Sequence, residues 1–416
     1  MNIINEAKKE QEFIVTIRRH LHENPELSGI EFKTIELIKN KINEFNIPFI
    51  EVKDGGILAF IDSNKKGKTI LLRADVDALP INESEYNGAG KIKPCISKVE
   101  NVQHACGHDA HTAMLLAASK ILNNHKDEFK GKIIICFERG EEGIGNVYYL
   151  IKYMLENNIH YDQCFGVHVS FNTEYKPGSI LIKEGNFMAA MITYKFKIIG
   201  KGGHGGKPET CISPINAFTY VYQAIEDLYQ KEYFDKPLRF SCGKLESGLK
   251  CNVIPDELTF EGTIRYFNNE DGKEFSQRII EICQNVAEKH GCRLIVEKMS
   301  KSGLAVINDS KSIEMAKKAF KDFEINEAPL KMSSESFCYY QAMANGIFAN
   351  LNTANIEKGM ISDIHTSSMD VDEDVLYLGS AAHIAYALEF LNNDYNFSKE
   401  PLYKNATQWQ KEFGKI

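Results

Sequence analysis

The sequence of 416 residues lacks several features that would place a protein in a membrane or outside the cell. No apolar run approaches the roughly 20 residues that a membrane span requires, so we expect no membrane contact. The first ten residues have neither the basic region nor the apolar core of a signal peptide. The ten cysteines are scattered and form no C-x-x-C pair, which is typical of reduced thiols. We therefore expect a soluble, cytoplasmic protein.

An excess of basic charge is also absent. The formal net charge is −8 at pH 7, so nucleic acid is not an expected partner. Internal repeats and low-complexity tracts are missing as well, which excludes solenoids and disordered linkers. What remains is a chain with 43% hydrophobic residues, long enough for two or three domains with their own cores.

Strand-like runs alternate with helical spacing in the N-terminal part of the chain. Residues 69–73, 132–137 and 164–169 are short and apolar, and the first two are rich in leucine or isoleucine. Helical patterns separate them along the chain. This alternation predicts an α/β domain whose mostly parallel sheet is covered by helices on both faces.

Polar residues stand where these predicted strands end. Asp75 and Asp77 follow the first run, Glu141 and Glu142 follow the second, and His168 lies at the end of the third. Because ligands gather at the carboxyl ends of strands in such sheets, we expect these side chains to lie close together.

The pattern changes near residue 185. A strand–helix–strand–helix–strand segment of about 110 residues follows, which is the size of a small independent domain. We predict a discontinuous catalytic domain of residues 1–184 and 300–394, with residues 185–299 as an inserted domain. Residues 395–416 are polar, hold the single tryptophan Trp409, and are predicted to form a C-terminal tail.

The densest group of potential metal ligands is residues 104–111, with three imidazoles, a thiol and a carboxylate. Imidazole and thiolate are the usual ligands of zinc and its transition-metal neighbours. Cys106 and His108 can reach one site only if the chain is irregular at Gly107 and a helix begins near Asp109. A dication at the positive end of that helix dipole needs anionic ligands, for which the Cys106 thiolate is a candidate. A buried cysteine beside surface histidines is the alternative interpretation.

A hydrolytic metal site also needs anionic ligands and a carboxylate near the attacking water. Neighbouring side chains of an extended chain diverge, so Glu142 can bind metal while Glu141 faces the substrate as a base. Each residue has an ordinary structural interpretation when taken alone, such as a solvated acidic turn or a core histidine. The candidate ligands at separate strand ends and in loops are Cys106, His108, Glu142, His168 and His365.

A series of motifs, in this order, resembles the N-acyl-amino-acid amidohydrolase branch of the aminoacylase and zinc-carboxypeptidase superfamily. That branch includes hippurate hydrolases and plant auxin-conjugate hydrolases. The resemblance covers roughly residues 10–392. The motifs are Arg18-Arg-His-Leu-His22, Pro25-Glu-Leu27, Leu72-Arg-Ala-Asp75-Val-Asp77-Ala-Leu-Pro80, His104-Ala-Cys-Gly-His-Asp-Ala-His111, Glu141-Glu142-Gly143, Gly166-Val-His168, Gly200-Lys-Gly-Gly-His204, Asn252-Val-Ile-Pro-Asp256, Gly262-Thr-Ile-Arg265 and His365.

The resemblance implies an inserted ferredoxin-like α+β domain that serves as lid and dimerisation domain. It also implies two divalent metal ions per subunit, bridged by the thiolate of Cys106, and the donor types admit zinc, manganese, cobalt or nickel. The remaining ligands would be His108, Glu142, His168 and His365. Supporting carboxylates that hold the site by hydrogen bonds would be Asp75, Asp77 and Asp109.

The resemblance further implies roles in catalysis. Glu141 would be the general base, taking a proton from the water that bridges the metals and passing it to the leaving amine. His204 would stabilise the oxyanion, from a partner subunit of a homodimer joined through the lid domain or of a higher oligomer. Asn252 and Arg265 would hold the substrate carboxylate, which the forked guanidinium can bind through two hydrogen bonds. The alternative for Arg265 is an ion pair at a strand end.

Four departures from the family pattern border the pocket and the lid. Arg139-Gly140 replaces the usual Pro-Ala before the paired glutamates. Ser336 stands at a usually acidic position, Glu209 where histidine is usual, and Ser213 where aspartate is usual. None of the four removes a predicted ligand or the base, but they leave the substrate open.

The sequence therefore predicts a metal-dependent amidohydrolase that cleaves the amide bond of N-acyl amino acids or similar small carboxylate-bearing amides. A metallo-exopeptidase or dipeptidase on the same site is the nearest alternative. A thiol hydrolase with Cys106 as nucleophile and His108 as base is another. A non-catalytic small-molecule sensor that kept the fold is a further one.

Overall fold

The structure is a computed structural model that describes residues 1–143, 145–397 and 399–413. Over these residues the chain divides into two compact units. Unit 1 takes in the described residues of Met1–Phe187, Ile307–Pro329 and Ser336–Ile416, and unit 2 takes in Met188–Val306 and Leu330–Glu335. No helix in the described part of the chain is long and apolar enough to cross a membrane.

The α-helices that the described residues form are α1 (Ile3–Lys9), α2 (Gln11–Glu23), α3 (Phe32–Glu44), α4 (His108–Asn124), α5 (Val147–Glu156), α6 (Pro214–Leu228), α7 (Asn269–Lys289), α8 (Ser310–Ala319), α9 (Phe337–Met343), α10 (Leu376–Asn392) and α11 (Ala406–Phe413). The strands are β1 (Phe49–Val52), β2 (Gly56–Asp62), β3 (Thr69–Asp75), β4 (Lys132–Glu138), β5 (Gln163–Ser170), β6 (Ile180–Ile182), β7 (Gly185–Met188), β8 (Ala190–Ile199), β9 (Gly203–His204), β10 (Leu238–Ser247), β11 (Val253–Ile254), β12 (Glu257–Tyr266), β13 (Arg293–Met299), β14 (Val306–Asn308), β15 (Ile325–Glu327) and β16 (Asn345–Asn352).

Unit 1 contains a mixed, mostly parallel sheet with the strand order β1-β2-β4-β3-β5-β16-β6-β15. The central strands β4, β3, β5 and β16 run parallel to one another, whereas β1, β2 and β6 pair with a neighbour in the antiparallel sense. Beyond their first residue, the central strands are buried throughout. Burial on both faces is what a parallel sheet covered by helices requires.

One face of the central strands forms a large apolar core with the helices. Ile70, Leu72 and Ala74 of β3 alternate into this core, as the period of two in a strand demands. Helices α4 and α10 pack on each other and on β3 and β5. The carboxyl ends of β3, β4 and β5 consequently lie at one edge of the sheet, next to the N-terminus of α4.

Residues predicted as a C-terminal tail also contribute to unit 1. They include helix α11, which packs on α5. Its Trp409 is fully buried. The apolar packing of this segment was not evident from its polar composition.

Unit 2 contains a four-stranded antiparallel sheet in the order β10-β12-β8-β13, with α6 and α7 packed together. Elements follow the chain as β8-α6-β10-β12-α7-β13, which is the ferredoxin-like βαββαβ arrangement. Strand β8 alternates strictly between buried and half-buried residues, because only one face of the sheet meets the helices. Helix α7 buries every fourth residue along one stripe: Phe275, Ile279, Cys283 and Ala287.

Candidate metal centre

The metal-ligand candidates Cys106 and His108 flank a backbone irregularity. Gly107 adopts a left-handed conformation with φ of 86° and stands at the N-cap of α4, which begins at His108. A Cβ atom on Gly107 would lie 2.4 Å from Cγ2 of Val169, so only glycine fits here. This break lets a thiol and an imidazole two residues apart serve one site, and it is the irregularity that the spacing required.

Potential donor atoms from distant parts of unit 1 converge beside this break. Cys106, His108 and His168 each offer an atom within 4.8 Å of the others, and Cys106, Glu142 and His365 form a second such group. A third group joins His108 to Glu141 and Glu142. The structure thus brings together all five predicted ligands and the predicted base.

The distances between donors match the needs of a divalent ion. Sγ of Cys106 lies 3.4 Å from Nε2 of His168. Nε2 of His365 lies 3.1 Å from Oε1 of Glu142. Two ligands of one tetrahedral zinc ion are about 3.4–3.6 Å apart, so both pairs are close to that spacing.

The two buried imidazoles are oriented by their other ring nitrogens. Nδ1 of His108 donates to Oδ1 of Asp77 at 3.2 Å. Nδ1 of His168 donates to the carbonyl of Val169 at 2.6 Å. In the neutral form, which a metal ligand must have, each ring then carries its lone pair on Nε2, the tautomer in which a metal-binding histidine is usually held.

Oε1 of Glu142 is buried and has no hydrogen-bond partner among the described residues. The nearby nitrogen of His365 approaches it without the alignment of a hydrogen bond, as two ligands of one ion do. His365 has a positive φ of 60°, which is rare and costly for a non-glycine residue. Its amide donates to the carbonyl of Ala105 at 2.7 Å, which ties the His365 loop to the start of the cluster. The donor set therefore fits a divalent metal.

Charges at this site are arranged for a cation. Burial raises the pKa of the Cys106 thiol well above its usual value, so the thiol keeps its proton unless positive charge lies beside it. Burial disfavours the charged form of His108, yet the groups around it, the carboxylate of Asp75 first and then Cys106 and Asp77, together outweigh burial and raise the pKa of that imidazole well above its usual value.

Asp77 connects two of the candidate ligands. Its Oδ1 accepts from His108, and its Oδ2 accepts from the amide of Glu142 at 2.9 Å and from the hydroxyl of Ser28 at 2.5 Å. Burial opposes its ionisation, but these hydrogen bonds, that of His108 first, lower the pKa of Asp77. Asp77 remains a carboxylate that fixes an imidazole and the backbone of a neighbouring ligand.

Asp75 and Asp109 support the site from farther out. Asp75 accepts from Nδ1 of His111 at 2.6 Å and from the guanidinium of Arg73 at 2.6 Å. Asp109 accepts from Nε of Arg18 at 2.9 Å and from Nδ1 of His22 at 2.8 Å. All of these side chains are buried, so the hydrogen bonds hold the strand ends and the helix start in place.

The surroundings of Glu141 were not predicted from the sequence. The amide of Ser336 donates to Oε1 of Glu141 at 3.0 Å. The hydroxyl of Ser336 donates to Glu138 at 2.7 Å and accepts from Arg73 at 2.8 Å. Arg73 and Glu138 are charged residues inside apolar strand runs, and that was the signal that could have identified this buried network.

The remaining predicted site residues lie in unit 2. His204 is exposed on β9 and pairs with Val253 on β11, and the carbonyl of Asn252 accepts from the amide of Gly205 at 2.9 Å. His204 and Asn252 are thus neighbours on one β-ribbon. Arg265 is half-buried on β12 and donates to the carbonyl of Met332 at 3.1 Å. The predicted site residues therefore form two groups, one in each unit.

Comparison with known proteins identifies the family. The model of Peptidase family M20/M25/M40 matches residues 71–389. Thermostable carboxypeptidase 2 of Saccharolobus solfataricus is 33% identical over 403 residues, covering 93% of this chain and 98% of the relative. Hippurate hydrolase of Campylobacter jejuni is 32% identical over 401 residues, covering 94% and 100%. N-acetylcysteine deacetylase of Bacillus subtilis is 29% identical over 372 residues, covering 88% and 94%.

Solved structures share the fold. A putative aminohydrolase from methicillin-resistant Staphylococcus aureus superposes with a TM-score of 0.82 at 29% identity, covering 94% of this chain and 100% of that one. A dinuclear metal binding peptidase of the M20 family from Bacillus subtilis superposes with a TM-score of 0.76 at 28% identity, covering 92% and 99%. The predicted fold class and the predicted superfamily are confirmed. The chain belongs to Peptidase family M20/M25/M40 and is a metallohydrolase of amide bonds.

Proposed function

We propose that this protein hydrolyses the amide bond of N-acyl amino acids, or of similar small amides that carry a carboxylate, with two divalent metal ions. The observation that carries the proposal is that a thiol, three imidazoles and a carboxylate of unit 1 form overlapping groups of three whose donor atoms lie within 4.8 Å of one another, with a second glutamate in one of these groups. Such a mixed donor set admits zinc, manganese, cobalt or nickel. The residues that would hold the ions are Cys106, His108, Glu142, His168 and His365.

The ions would supply Lewis acidity, which would polarise the substrate carbonyl and lower the pKa of the attacking water, so that it can lose a proton near neutral pH. Glu141 then acts as the general base. It takes the proton of the attacking water and returns it to the leaving nitrogen, and its carboxylate is oriented by the amide of Ser336. Asp75, Asp77 and Asp109 hold the ligands without touching the substrate.

In unit 2 we propose that His204 stabilises the oxyanion, acting from the partner subunit of a homodimer or higher oligomer. Asn252 and Arg265 would bind the substrate carboxylate. Burial lowers the pKa of Arg265, which nevertheless stays protonated near neutrality and suits pairing with a carboxylate. The corresponding division of labour gives catalysis to residues 1–184 and 300–394 and the lid to residues 185–299.

The direct test is a screen of amide hydrolysis with the purified protein loaded in turn with each candidate metal. Substrates are N-acetyl and N-benzoyl derivatives of several amino acids, and the released amine is measured. We expect metal-dependent release that a chelator abolishes and added metal restores. Absence of release from every N-acyl amino acid with every metal would contradict the proposal. Activity that survives complete metal removal would favour the thiol-hydrolase alternative.

Glu141→Gln is the sharpest variant for the mechanism. The amide keeps the shape of the side chain but cannot accept a proton, so we expect kcat to fall by about 10²- to 10⁴-fold. Metal content, measured by elemental analysis, should stay at the wild-type level because Glu141 is not among the proposed ligands. Unchanged function in this variant would favour the sensor alternative.

A carboxypeptidase is the second candidate, because Thermostable carboxypeptidase 2 is 33% identical to this chain over nearly its whole length. The two substrate classes differ in the group on the acyl side of the scissile bond. We expect N-blocked amino acids to be cleaved with higher kcat/KM than dipeptides that carry a free amine. The opposite ranking would assign the protein to peptide substrates.

A further inference from the structure

The C-terminal helix α11 forms an aromatic stack with two elements of unit 1. Trp409 and Phe413 stack on each other at 4.6 Å between ring centroids, and both stack on Tyr148 at 6.1 and 5.8 Å. Tyr339 meets both rings edge-on, at 5.5 and 4.6 Å. Tyr148 belongs to the first turn of α5 and Tyr339 to α9, so one helix joins these two.

Helix α5, the first of these elements, directly follows the loop that carries the proposed general base. Nε1 of Trp409 donates to the carbonyl of Tyr148 at 3.0 Å in a buried position. The amide of Tyr148 donates to the carbonyl of Gly145 at 3.2 Å, and the amide of Gly145 donates to that of Gly140 at 3.1 Å. A chain of contacts thus runs from α11 into residues 139–146, which hold Glu141.

The second element orients the same carboxylate. The amide of Ser336, at the N-cap of α9, donates to Oε1 of Glu141 at 3.0 Å. The amide of Tyr339 donates to the carbonyl of Ser336 at 3.0 Å. The stretch before α11 is tied to α9 as well, because the amide of Leu402 donates to the carbonyl of Ala342 at 2.8 Å.

Two elements that hold Glu141, the helix after its loop and the helix with Ser336 at its N-cap, are therefore both packed on α11. The described residues of this loop have positive φ at Gly140, Gly143 and Gly145, and none of them belongs to a helix or strand. A catalytic group on such a loop needs packing from outside to keep its geometry. If α11 served only to complete the core, its contacts with Tyr148 and Tyr339 would not both need to lead to the carboxylate of Glu141.

We propose that α11 is a positioning element for Glu141, acting through Tyr148 on its loop and through Tyr339 on Ser336. The proposal rests on the role of Glu141 as general base. It makes Trp409 and Phe413 positioning residues, since neither touches the substrate or the ligands. Removing the stack should leave the metal centre formed but misplace the base.

The kinetic test compares Trp409→Ala with Gln410→Ala, which changes the exposed neighbour on the same helix. Displacement of a catalytic group by about 1 Å can cost on the order of 10²-fold, so we expect kcat to fall between about 10- and 100-fold in Trp409→Ala. KM and metal content should stay within about twofold of wild type. Trp409→Phe keeps the stack and loses only the hydrogen bond to Tyr148, so it should recover most of kcat. Equal kcat in Trp409→Ala and Gln410→Ala would overturn the proposal.

A second measurement does not depend on turnover. Hydrogen exchange of the full chain should be faster in Trp409→Ala than in Gln410→Ala for peptides that cover residues 139–146 and 336–340. Exchange of residues 104–111 should not change. Uniform acceleration over the whole of unit 1, or none at all, would show that α11 has only a structural role. If Trp409→Ala does not fold, the same comparison with Phe413→Leu decides.

The two proposals can fail separately. A wild-type protein without amidohydrolase activity refutes the proposed function, while the exchange data still decide whether α11 braces the Glu141 loop. An active wild-type protein whose Trp409→Ala variant keeps full kcat refutes the brace alone.

Discussion

Asp77 shows how one buried side chain can hold two proposed metal ligands. Its Oδ1 accepts from the ring of His108, and its Oδ2 accepts from the amide of Glu142 and from the hydroxyl of Ser28. Partners of this kind set the tautomer and direction of a ligand, and their loss typically lowers metal affinity by about 10- to 100-fold.

Asp77→Asn should therefore weaken metal binding while keeping the fold. The amide has one acceptor oxygen where the carboxylate uses two, so it cannot accept from both His108 and the Glu142 amide. We expect the Kd for zinc to rise by about 10- to 100-fold in competition with a chromogenic chelator. Asp322→Asn, at an exposed position, is the control and should bind as wild type does. Equal Kd values in the two variants would contradict this role of Asp77.

His383 is a second informative residue, in the core and on α10. Its ring lies edge-on to Phe165 at 5.2 Å, and neither ring nitrogen has a hydrogen-bond partner among the described residues. Burial lowers the pKa of His383 to about 3. The folded protein therefore keeps this imidazole neutral under conditions in which an unfolded chain would protonate it.

This difference makes the free energy of unfolding decrease as the pH is lowered. Above the unfolded value of about 6.5 neither state binds the proton, and His383 has no effect. Below that value only the unfolded state binds the proton. The free energy of unfolding therefore decreases by up to about 1.4 kcal/mol per pH unit until the folded imidazole titrates at about 3. In His383→Leu we expect a shallower decline between pH 6 and pH 4 in denaturant titrations. His20→Leu, at an exposed site, is the control, and its free energy of unfolding should decline with falling pH as that of wild type does. The same decline in His383→Leu would contradict the prediction.

At the scale of elements, the start of α4 decides the position of two proposed ligands. Gly107 is left-handed and directly in front of Val169, so Cys106 precedes the helix while His108 begins it. A helix that started one turn earlier would separate their side chains around its circumference. The geometry of the site therefore depends on a helix boundary.

Gly107→Ala should move this boundary or destabilise it. The left-handed conformation costs a residue with a Cβ about 1–2 kcal/mol, and contact with Val169 at 2.4 Å adds to that. Gly90→Ala is a matched control, because Gly90 also has positive φ but no atom lies within 4 Å of an added Cβ. We expect a larger loss of unfolding free energy in Gly107→Ala, together with weaker zinc binding. Equal losses in both variants would show that the close contact is unimportant.

At the scale of the whole molecule, the proposed ligands all belong to one unit. Cys106, His108, Glu142, His168 and His365 lie in unit 1, and the ferredoxin-like sheet of unit 2 contributes none of them. Ligand binding stabilises only the state that contains the site, by about 4 kcal/mol at a thousandfold excess over Kd. Metal should thus act unequally on the two units.

Metal removal tests this asymmetry in the intact chain. We expect a chelator to lower Tm and to accelerate hydrogen exchange in residues 104–111 and 163–170. Exchange in α6 and α7 should change little, because their core is closed within unit 2. Loss of protection spread equally over both units would mean that the metal site stabilises them together.

Much of the fold could be read from local patterns. The buried strands β3, β4 and β5 are short apolar runs, and the alternation in β8 and the stripe on α7 have the periods of strand and helix. These signals are visible in sequence because they repeat within a few residues. Helix α11 was not predicted, because its burial depends on a few aromatic residues in a polar segment. These residues contact partners far away along the chain.

For the site, the sequence by itself determined which donors stand at strand ends and that Gly107 must interrupt the helix pattern. Tertiary structure alone decided that His365, far along the chain, comes within 4.8 Å of donor atoms of Cys106 and Glu142, and that the amide of Ser336 contacts Glu141. A local motif reports residue type and backbone direction. Convergence depends on how the sheet orders its strands and how loops close over its edge, and those are set by packing between segments that no short stretch of sequence contains.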